Sequence, residues 1–571
     1  MKITKKTVYL FIFFIIGFII RIIAAANTDV STDEMIYSII PLNIISADKL
    51  GTVEQSILFF YLNDISYKIF GGITPISIRF WSILFGSLTV FTIFLLSKDL
   101  FRNEKTAYLS SFLFAISGYA INYNYEMDMI AFFFLSLSML FFIKYMNDKK
   151  NSLYLSVIFF ALALLIKTLV AAFLPGYIIM WLWHMKRKDK TAKIKELKIV
   201  SLALLLGLII ISPVLIYNYF TVTKLGISDY YVSNILGIGE TVHQGLQGKP
   251  WAFSNLWNNA KILLERLIKF DGLILITGLL GIITFTKKNK ISYQSIGSLF
   301  VLISTVIFFI YLAGQNGSPT HYLQVPLILS LYSGYLIFSI KQNNWKKFSY
   351  LAVITAVAFA LIAVNSSINS SNKSITLELR NYVHKNIPDN AVVVIDPRIY
   401  RGIHAWVFND KHYLDGSHFA ELAGSISKHQ GETILAPLYY IECITGSNCG
   451  WKPEDFARIF DQGESISNYF KENTKKVAEI RTTHNFDIHK GTITIPLEAY
   501  EAIDRTHQFW FYPVGWKHPE TAVDYYEVSG SNQLVQGFGF LILWVDIILA
   551  ILSIPFLLYY VFRHTKTKDI S

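Results

Sequence analysis

Apolar residues recur along this chain in runs of about 20, the length that crosses a ~30 Å hydrocarbon core as a helix. Short polar stretches rich in lysine separate the runs. Backbone amides in lipid must be paired within the segment or in a closed barrel, so runs this long read as helices. The pattern predicts twelve spans, at residues 7–26, 76–97, 106–121, 128–146, 152–167, 169–185, 199–217, 268–286, 294–313, 321–340, 347–364 and 536–562. The first run follows Lys2, Lys5 and Lys6 as a signal peptide would. Arg21 interrupts its end, however, and no convincing small-residue cleavage site precedes the acids, so it is read as a retained helix.

Three polar segments exceed the length of simple connections. Residues 27–75 have mixed polarity and are expected to form short helices along the interface. Residues 218–267 form a second segment. Residues 365–535 are long enough to be a domain. Within it, 391–395 and 491–496 read as strands and 453–470 as a helix, after a Ser/Asn-rich linker at 365–374. The expected fold class is mainly α: a polytopic membrane protein of about 12 transmembrane helices with a C-terminal extracytoplasmic α/β domain. Its division is a membrane module over 1–364, the α/β domain over 365–535, and a final helix with its tail over 536–571.

Composition agrees with a bilayer as solvent: of 571 residues, 53% are hydrophobic and only 16% charged. The net charge of +11 would suit nucleic acid, but the basic residues lie in clusters between apolar runs, the densest at 186–198. Placing those clusters in the cytoplasm satisfies the positive-inside rule and puts both termini inside. No nucleic-acid partner is expected. Compact loops and an Ile/Lys/Asn-rich composition fit a multi-pass protein of a bacterial inner or archaeal cell membrane. Cys443 and Cys449, the only cysteines, both fall in the outer domain, where a disulfide across a short loop is chemically permitted.

Candidate chemistry gathers at the outer ends of the spans. Asp33 and Glu34 follow the first run, with Tyr37 completing a D-E-x-x-Y pattern, and carboxylates beside hydrocarbon are costly without a task. Asp128 opens the fourth span beside Tyr123 and Tyr125. Asp48 and Asp64 have ordinary loop settings and are read as solvated. Two acids at one depth can share a substrate, one accepting a proton and the other orienting the acceptor or holding a cation. His321, Lys249, Arg266 and Lys167 lie at or near the same face and could meet charge developing on a phosphate.

In order, D33-E-M-I-Y37, V53-E-Q-S-I-L-F-F60, R79-F-W-S82, N124-Y-E-M-D128, L164-L-I-K167 and H321-Y-L-Q-V-P326 resemble the GT-C glycosyltransferases of the protein mannosyltransferase and lipid A aminoarabinose transferase type. The resemblance covers most of residues 7–340. It implies transfer of a sugar, with inversion, from a polyprenyl or dolichyl monophosphate to an envelope lipid, glycan or protein. It implies Asp33 as catalytic aspartate, Asp128 as a second acidic position, Glu34 as a helper, and Glu54 as the acid of a Glu-Lys-Pro-Pro-like segment. His321, Tyr322 and Pro326 match a basic-Tyr-x-x-x-Pro element, and H243-Q-G-L-Q-G-K-P-W251 resembles the family's His…Pro-aromatic stretch. Donor phosphate or sugar is thereby expected at Tyr37, Gln55, His243, Lys249, Arg266, His321 and Tyr322.

The chain departs from the pattern at Gln55 and Ile36, where the aminoarabinose transferases carry lysine and arginine. Both losses remove positive charge near the expected phosphate and weigh against aminoarabinose as the sugar. Glu54 with His404, His412 or His418 offers open coordination for a divalent ion such as Mg, Mn or Zn. Three other functions fit twelve spans. A transporter or flippase of a lipid-linked or small solute would place ionisable residues mid-span. An oligosaccharyltransferase would carry a Trp-Trp-Asp-type motif, whereas Trp451 and Trp516 stand apart. An O-antigen ligase or polymerase would have no need of Asp33.

Overall fold

The computed structural model describes residues 5–28, 57–122, 127–225, 251–288, 293–314, 319–339, 353–366, 375–399, 401–408, 411–419, 431–444, 453–481, 484–506 and 533–566. It also describes residues 30, 34, 227–228, 238, 240–241, 426 and 449. The membrane part begins with α1 (Lys5–Asn27), α2 (Ile57–Phe70), α3 (Pro75–Phe101), α4 (Glu104–Ala115), α5 (Gly118–Asn122), α6 (Met127–Met146) and α7 (Ser152–Ile166). A 3-10 turn, Thr168–Phe173, leads into α8 (Leu174–Lys186) and α9 (Lys190–Leu225). The strand pair β1 (Ile227–Ser228) and β2 (Glu240–Thr241) precedes α10 (Phe253–Lys288) and α11 (Tyr293–Gly314). The 3-10 turn Pro319–Tyr322, α12 (Gln324–Ser339) and α13 (Val353–Ser366) follow.

Every predicted span overlaps a helix, but the helices are less uniform than the hydropathy. Among the described residues, eight are long and apolar enough to cross a membrane by length and composition, and α7, α12 and α13 are shorter apolar helices. The run expected at 106–121 is two helices, α4 and α5, broken at Ser117. The segment expected as an outer connection up to residue 267 is helical from Phe253, and α10 bends at Asp271, whose φ of −139° is non-helical.

Position within the bundle follows composition. Every residue of α6 is buried, making it the central helix, while α9 keeps Leu204, Leu205, Leu208 and Leu215 exposed, as a lipid-facing helix does. Helices α10 and α12 lie close together. A Cβ on Gly281 would stand 2.2 Å from the Tyr332 carbonyl oxygen, so a small residue is what lets the two backbones approach in the absence of a hydrophobic drive. Helices α3 and α6 run parallel, with Phe85 against Phe133 at 4.9 Å and Ser136 Oγ donating to Thr92 Oγ1 at 2.8 Å further along.

The polar region holds α14 (Ile375–Asn386), β3 (Val392–Ile395), α15 (Arg401–Phe408), β4 (His412–Asp415), β5 (Thr433–Cys443), α16 (Pro453–Asn473), β6 (Lys475–Arg481), β7 (Asn485–Pro496) and α17 (Leu497–Thr506). Its five-stranded sheet has the order β4-β3-β5-β7-β6, parallel across β4, β3 and β5 and antiparallel from β5 to β7 and β6. The Val392–Ile395 run is buried on both faces, as a parallel strand under helices should be. Cys443 and Cys449 are joined by a disulfide of 2.06 Å at the end of β5. The chain returns through α18 (Gln533–Lys566), packed on α9 and α3.

Candidate active site

Asp128, in the first turn of α6, is 2% exposed and holds two partners. Lys167 Nζ donates to its Oδ2 at 2.7 Å, and His321 Nδ1 lies 3.0 Å from Oδ1. Lys167 Nζ and His321 Nδ1 are 3.1 Å apart, so the three groups form a closed triangle. Two of the vertices stand where helix gives way to other backbone. Lys167 ends α7 in extended backbone, φ −154° and ψ 112°, before the 3-10 turn. His321 sits in the 3-10 turn that opens α12. Irregular backbone among membrane helices survives only where protein or a polar cavity receives it, and here it presents Lys167 and His321 to Asp128 in the first turn of α6.

A second polar pair lies at the same end. Arg79, fully buried near the start of α3, grips Glu34 with two parallel bonds, Nε to Oε1 at 2.7 Å and Nη2 to Oε2 at 2.8 Å. Its Nη1 donates to the carbonyls of Ala25 and Thr28 at the end of α1. This fork geometry belongs to arginine and fixes orientation as well as charge. Arg79 is six residues before Phe85 and Asp128 five before Phe133, whose rings touch, so parallel α3 and α6 bring both groups to one end of the bundle. The other end collects Lys6, Lys98 and Glu104, joined by ion pairs, with Lys98 also bonded to the His564 carbonyl of α18.

The structure therefore brings together Asp128 and His321, and sets Glu34 on Arg79. Tyr322 is buried with its ring 5.3 Å from Phe309. Arg266 is half-buried on the first segment of α10, in a helix rather than the expected loop. Asp33, Tyr37, Glu54, Gln55, His243 and Lys249 lie outside the described residues, as does Asp48. Asp64, read as a solvated loop acid, is instead buried on α2 with Lys68 one turn on at 3.5 Å. The helix that supplies this i,i+4 partner lies within the segment expected to form short helices, and only the exposure of Asp64 differs.

Sequence reasoning named Lys167 among the phosphate cations without its bond to Asp128, and quoted Arg79 without its bond to Glu34. A signal existed for each. An arginine inside the predicted span 76–97 needs a partner in the bundle, and a lysine between two apolar runs marks the break that frees it.

For a metal, the structure offers a set other than the one expected. Glu442, Asp487 and His489 bring ligand atoms within 4.8 Å of one another, close enough to hold an ion. Their carboxylates are already engaged: Lys471 reaches Glu442 at 2.6 Å, and Lys476 and Arg481 reach Asp487 at 2.6 and 2.5 Å. Three cations against two acids leave no excess negative charge to draw a divalent ion. His404 Nε2 lies 3.0 Å from the Ile399 carbonyl, and His412 stacks on Tyr500 at 4.2 Å. His418 closes the short turn Gly416–His418.

Residues 54–217 match the family model of dolichyl-phosphate-mannose-protein mannosyltransferases. That segment contains Arg79, Asp128 and Lys167. None of the curated proteins matches the sequence. Among solved structures, ArnT from Cupriavidus metallidurans in the apo state is similar with a TM-score of 0.55 at 10% identity, over 85% of this chain and 98% of that one. The same enzyme bound to undecaprenyl phosphate gives 0.53 at 10% identity over the same shares. The Archaeoglobus fulgidus oligosaccharyltransferase follows at 0.41 and 14% identity, covering 71% of this chain and 63% of its own. The chain thus carries a segment similar to the dolichyl-phosphate-mannose-protein mannosyltransferases within a fold similar to that of ArnT.

Proposed function

We propose that this protein moves a sugar from a polyprenyl-phosphate donor to an envelope acceptor on the outer face of the membrane, inverting the anomeric carbon. The observation that carries this reading is the buried Asp128–Lys167–His321 triangle at the end of the bundle that also holds Glu34 and Arg79. The family segment and the ArnT-like fold support it, and the ArnT structure holds undecaprenyl phosphate.

Asp33 acts as base. It follows directly from the chain that Asp33 is one peptide unit, about 3.8 Å between Cα atoms, from Glu34, which Arg79 anchors. The acceptor hydroxyl or amine gives its proton to Asp33 as its heteroatom attacks the anomeric carbon. The bond from that carbon to the phosphate oxygen breaks, and polyprenyl phosphate leaves with the electron pair. Negative charge grows on the leaving phosphate, and positive groups fixed beforehand stabilise it most effectively. Lys167 and His321 supply that charge, with Arg266 on the first segment of α10 as a further cation. Asp128 holds Lys167 and His321 in position and offsets their mutual repulsion while no phosphate is bound.

The test is mass spectrometry of envelope glycans and lipid-linked sugars from cells with the protein, without it, and with Asp33→Asn. The reading expects a glycan to vanish and its polyprenyl-phosphate donor to accumulate in the null and in Asp33→Asn alike. Glycan transfer that survives Asp33→Asn in a correctly inserted protein overturns the mechanism. Unchanged lipid-linked sugars in the null, with loss of solute uptake, favour a transporter.

A further inference from the structure

Deep in the membrane module, at the break between α4 and α5, a second buried polar group stands apart from the triangle. Ser117 ends the helical run, which frees the carbonyls behind it and the amides ahead of it. Arg21 of α1, fully buried, covers the carbonyl side: Nη1 donates to Ala115 at 3.1 Å and Nη2 to Phe114 at 3.4 Å. Asp271 of α10, 2% exposed, covers the amide side, accepting from Gly118 N at 2.8 Å and Tyr119 N at 3.3 Å and from Ser117 Oγ at 2.6 Å. Asp271 is itself the bend in α10. Two interrupted helices are thus stapled at their interruptions. The contact is close: a Cβ on Gly118 would lie 2.6 Å from the Phe270 carbonyl oxygen.

The three elements joined here each lead to a different part of the proposed site. Helix α1 ends at Asn27, seven positions before Glu34. Helix α5 ends at Asn122, six positions before Asp128. The segment of α10 ahead of the bend carries Arg266, five positions before Asp271. A buried ionic group is costly to build, and two helix breaks within a membrane cost backbone bonds as well. Straight helices would meet neither cost.

We propose that Arg21, Ser117 and Asp271 form a positioning node that sets the directions in which α1, α5 and the first segment of α10 deliver Glu34, the Asp128 triangle and Arg266 to one donor phosphate. Their contacts place them on helix termini rather than on substrate, so they are positioning residues and act through Asp128. The inference rests on the transferase reading for its consequence on turnover and on the structure alone for its effect on α5.

Two measurements on full-length protein in lipid test it. Asp271→Asn keeps the size of the side chain but turns one acceptor into a donor facing Ser117 and Tyr119. Turnover is expected to fall on the order of 100-fold, the scale of an ångström-sized displacement of reacting groups, with the donor KM changed less than about threefold. In the Asp128→Asn background the same substitution is expected to cost little more, because residues acting through one group are non-additive. The milder Ser117→Ala, which leaves both amide bonds to Asp271, should give an intermediate loss. Separately, the described cysteines are all disulfide-bonded, so Asn122→Cys can report on α5. Its thiol-labelling rate should rise several-fold when Asp271→Asn is added. Unchanged turnover with unchanged labelling overturns the node, as does a loss that simply adds to that of Asp128→Asn. If the unsubstituted protein consumes no lipid-linked sugar, the transferase reading fails, and the labelling rate still decides whether the staple holds α5.

Discussion

Lys167 Nζ and Asp128 Oδ2 lie 2.7 Å apart with their side chains 5% and 2% exposed, an ion pair withdrawn from water at the end of a membrane bundle. Such a pair is weak evidence of stability, since desolvation offsets much of its attraction, while removal of one partner strands the other charge. Lys167→Met is therefore expected to lower both properties. Transfer should drop by about 100-fold or more, the usual effect of removing one preorganised donor, and the folded state should lose roughly 3–5 kcal/mol. Lys167→Met with Asp128→Asn should recover stability without recovering transfer. Thermal unfolding in detergent and turnover in proteoliposomes measure the two effects.

Arg79 and Glu34 make a different prediction because their bond is two-pronged. Arg79→Lys preserves the charge but has one ammonium with three donors where four hydrogen bonds to Glu34, Ala25 and Thr28 are made by a rigid fork. Its transfer activity is expected near that of Glu34→Gln, both at least tenfold reduced. Activity of Arg79→Lys equal to that of the unsubstituted protein would show that charge alone suffices there, and that Glu34 needs no fixed orientation.

Hydropathy carried the bundle well because burial in lipid demands long apolar runs, and each predicted run met a helix. What it could not carry were the interruptions. The apolar pattern passes through Ser117 unbroken, and the bend at Asp271 lies inside a predicted span. Those breaks are set by tertiary partners, Arg21 and Asp271, that are distant in sequence and visible only once the helices pack. The same holds at the site. Acids were found by their cost beside hydrocarbon, but the pairing of Asp128 with Lys167 and of Glu34 with Arg79 spans 39 and 45 positions.

In the polar region, burial opposes ionisation of Glu442, yet hydrogen bonds from His489, Lys471 and Ser467 and the charge of Lys471 bring its pKa down to about 2 from its ordinary 4.5. A carboxyl whose folded pKa is depressed contributes stability that is fully present above its unfolded pKa and fades as pH falls through the folded value. The window is thus pH 4.5 down to about 2. Asp396 works in the opposite sense, because burial raises its pKa despite Arg398. Near-ultraviolet circular dichroism of the protein in detergent should show acid destabilisation across that window. Glu442→Gln should start out roughly 3–5 kcal/mol less stable and lose the steep acid dependence. A slope unaffected by Glu442→Gln would assign acid sensitivity elsewhere.

The disulfide gives the last prediction. Cys443 also donates its backbone N–H to Asp396 Oδ2 at 3.0 Å, so the residue that starts the bridge is tied into the buried Asp396–Arg398 pair. Cys443 and Cys449 close a loop with a sequence separation of 6, and a cross-link over so short a loop removes little chain entropy, about 2 kcal/mol. Replacing both cysteines by serine should cost about that much in the unfolding of the polar region and leave sugar transfer within about twofold, because no contact of the bridge reaches the Asp128 triangle among the described residues. Reduction of the native protein should match the serine variant. A much larger loss would mean that the bridge also holds the backbone that presents Cys443 N–H to Asp396. Asp396→Asn in the reduced protein would distinguish the two, since it weakens that hydrogen bond without touching the loop.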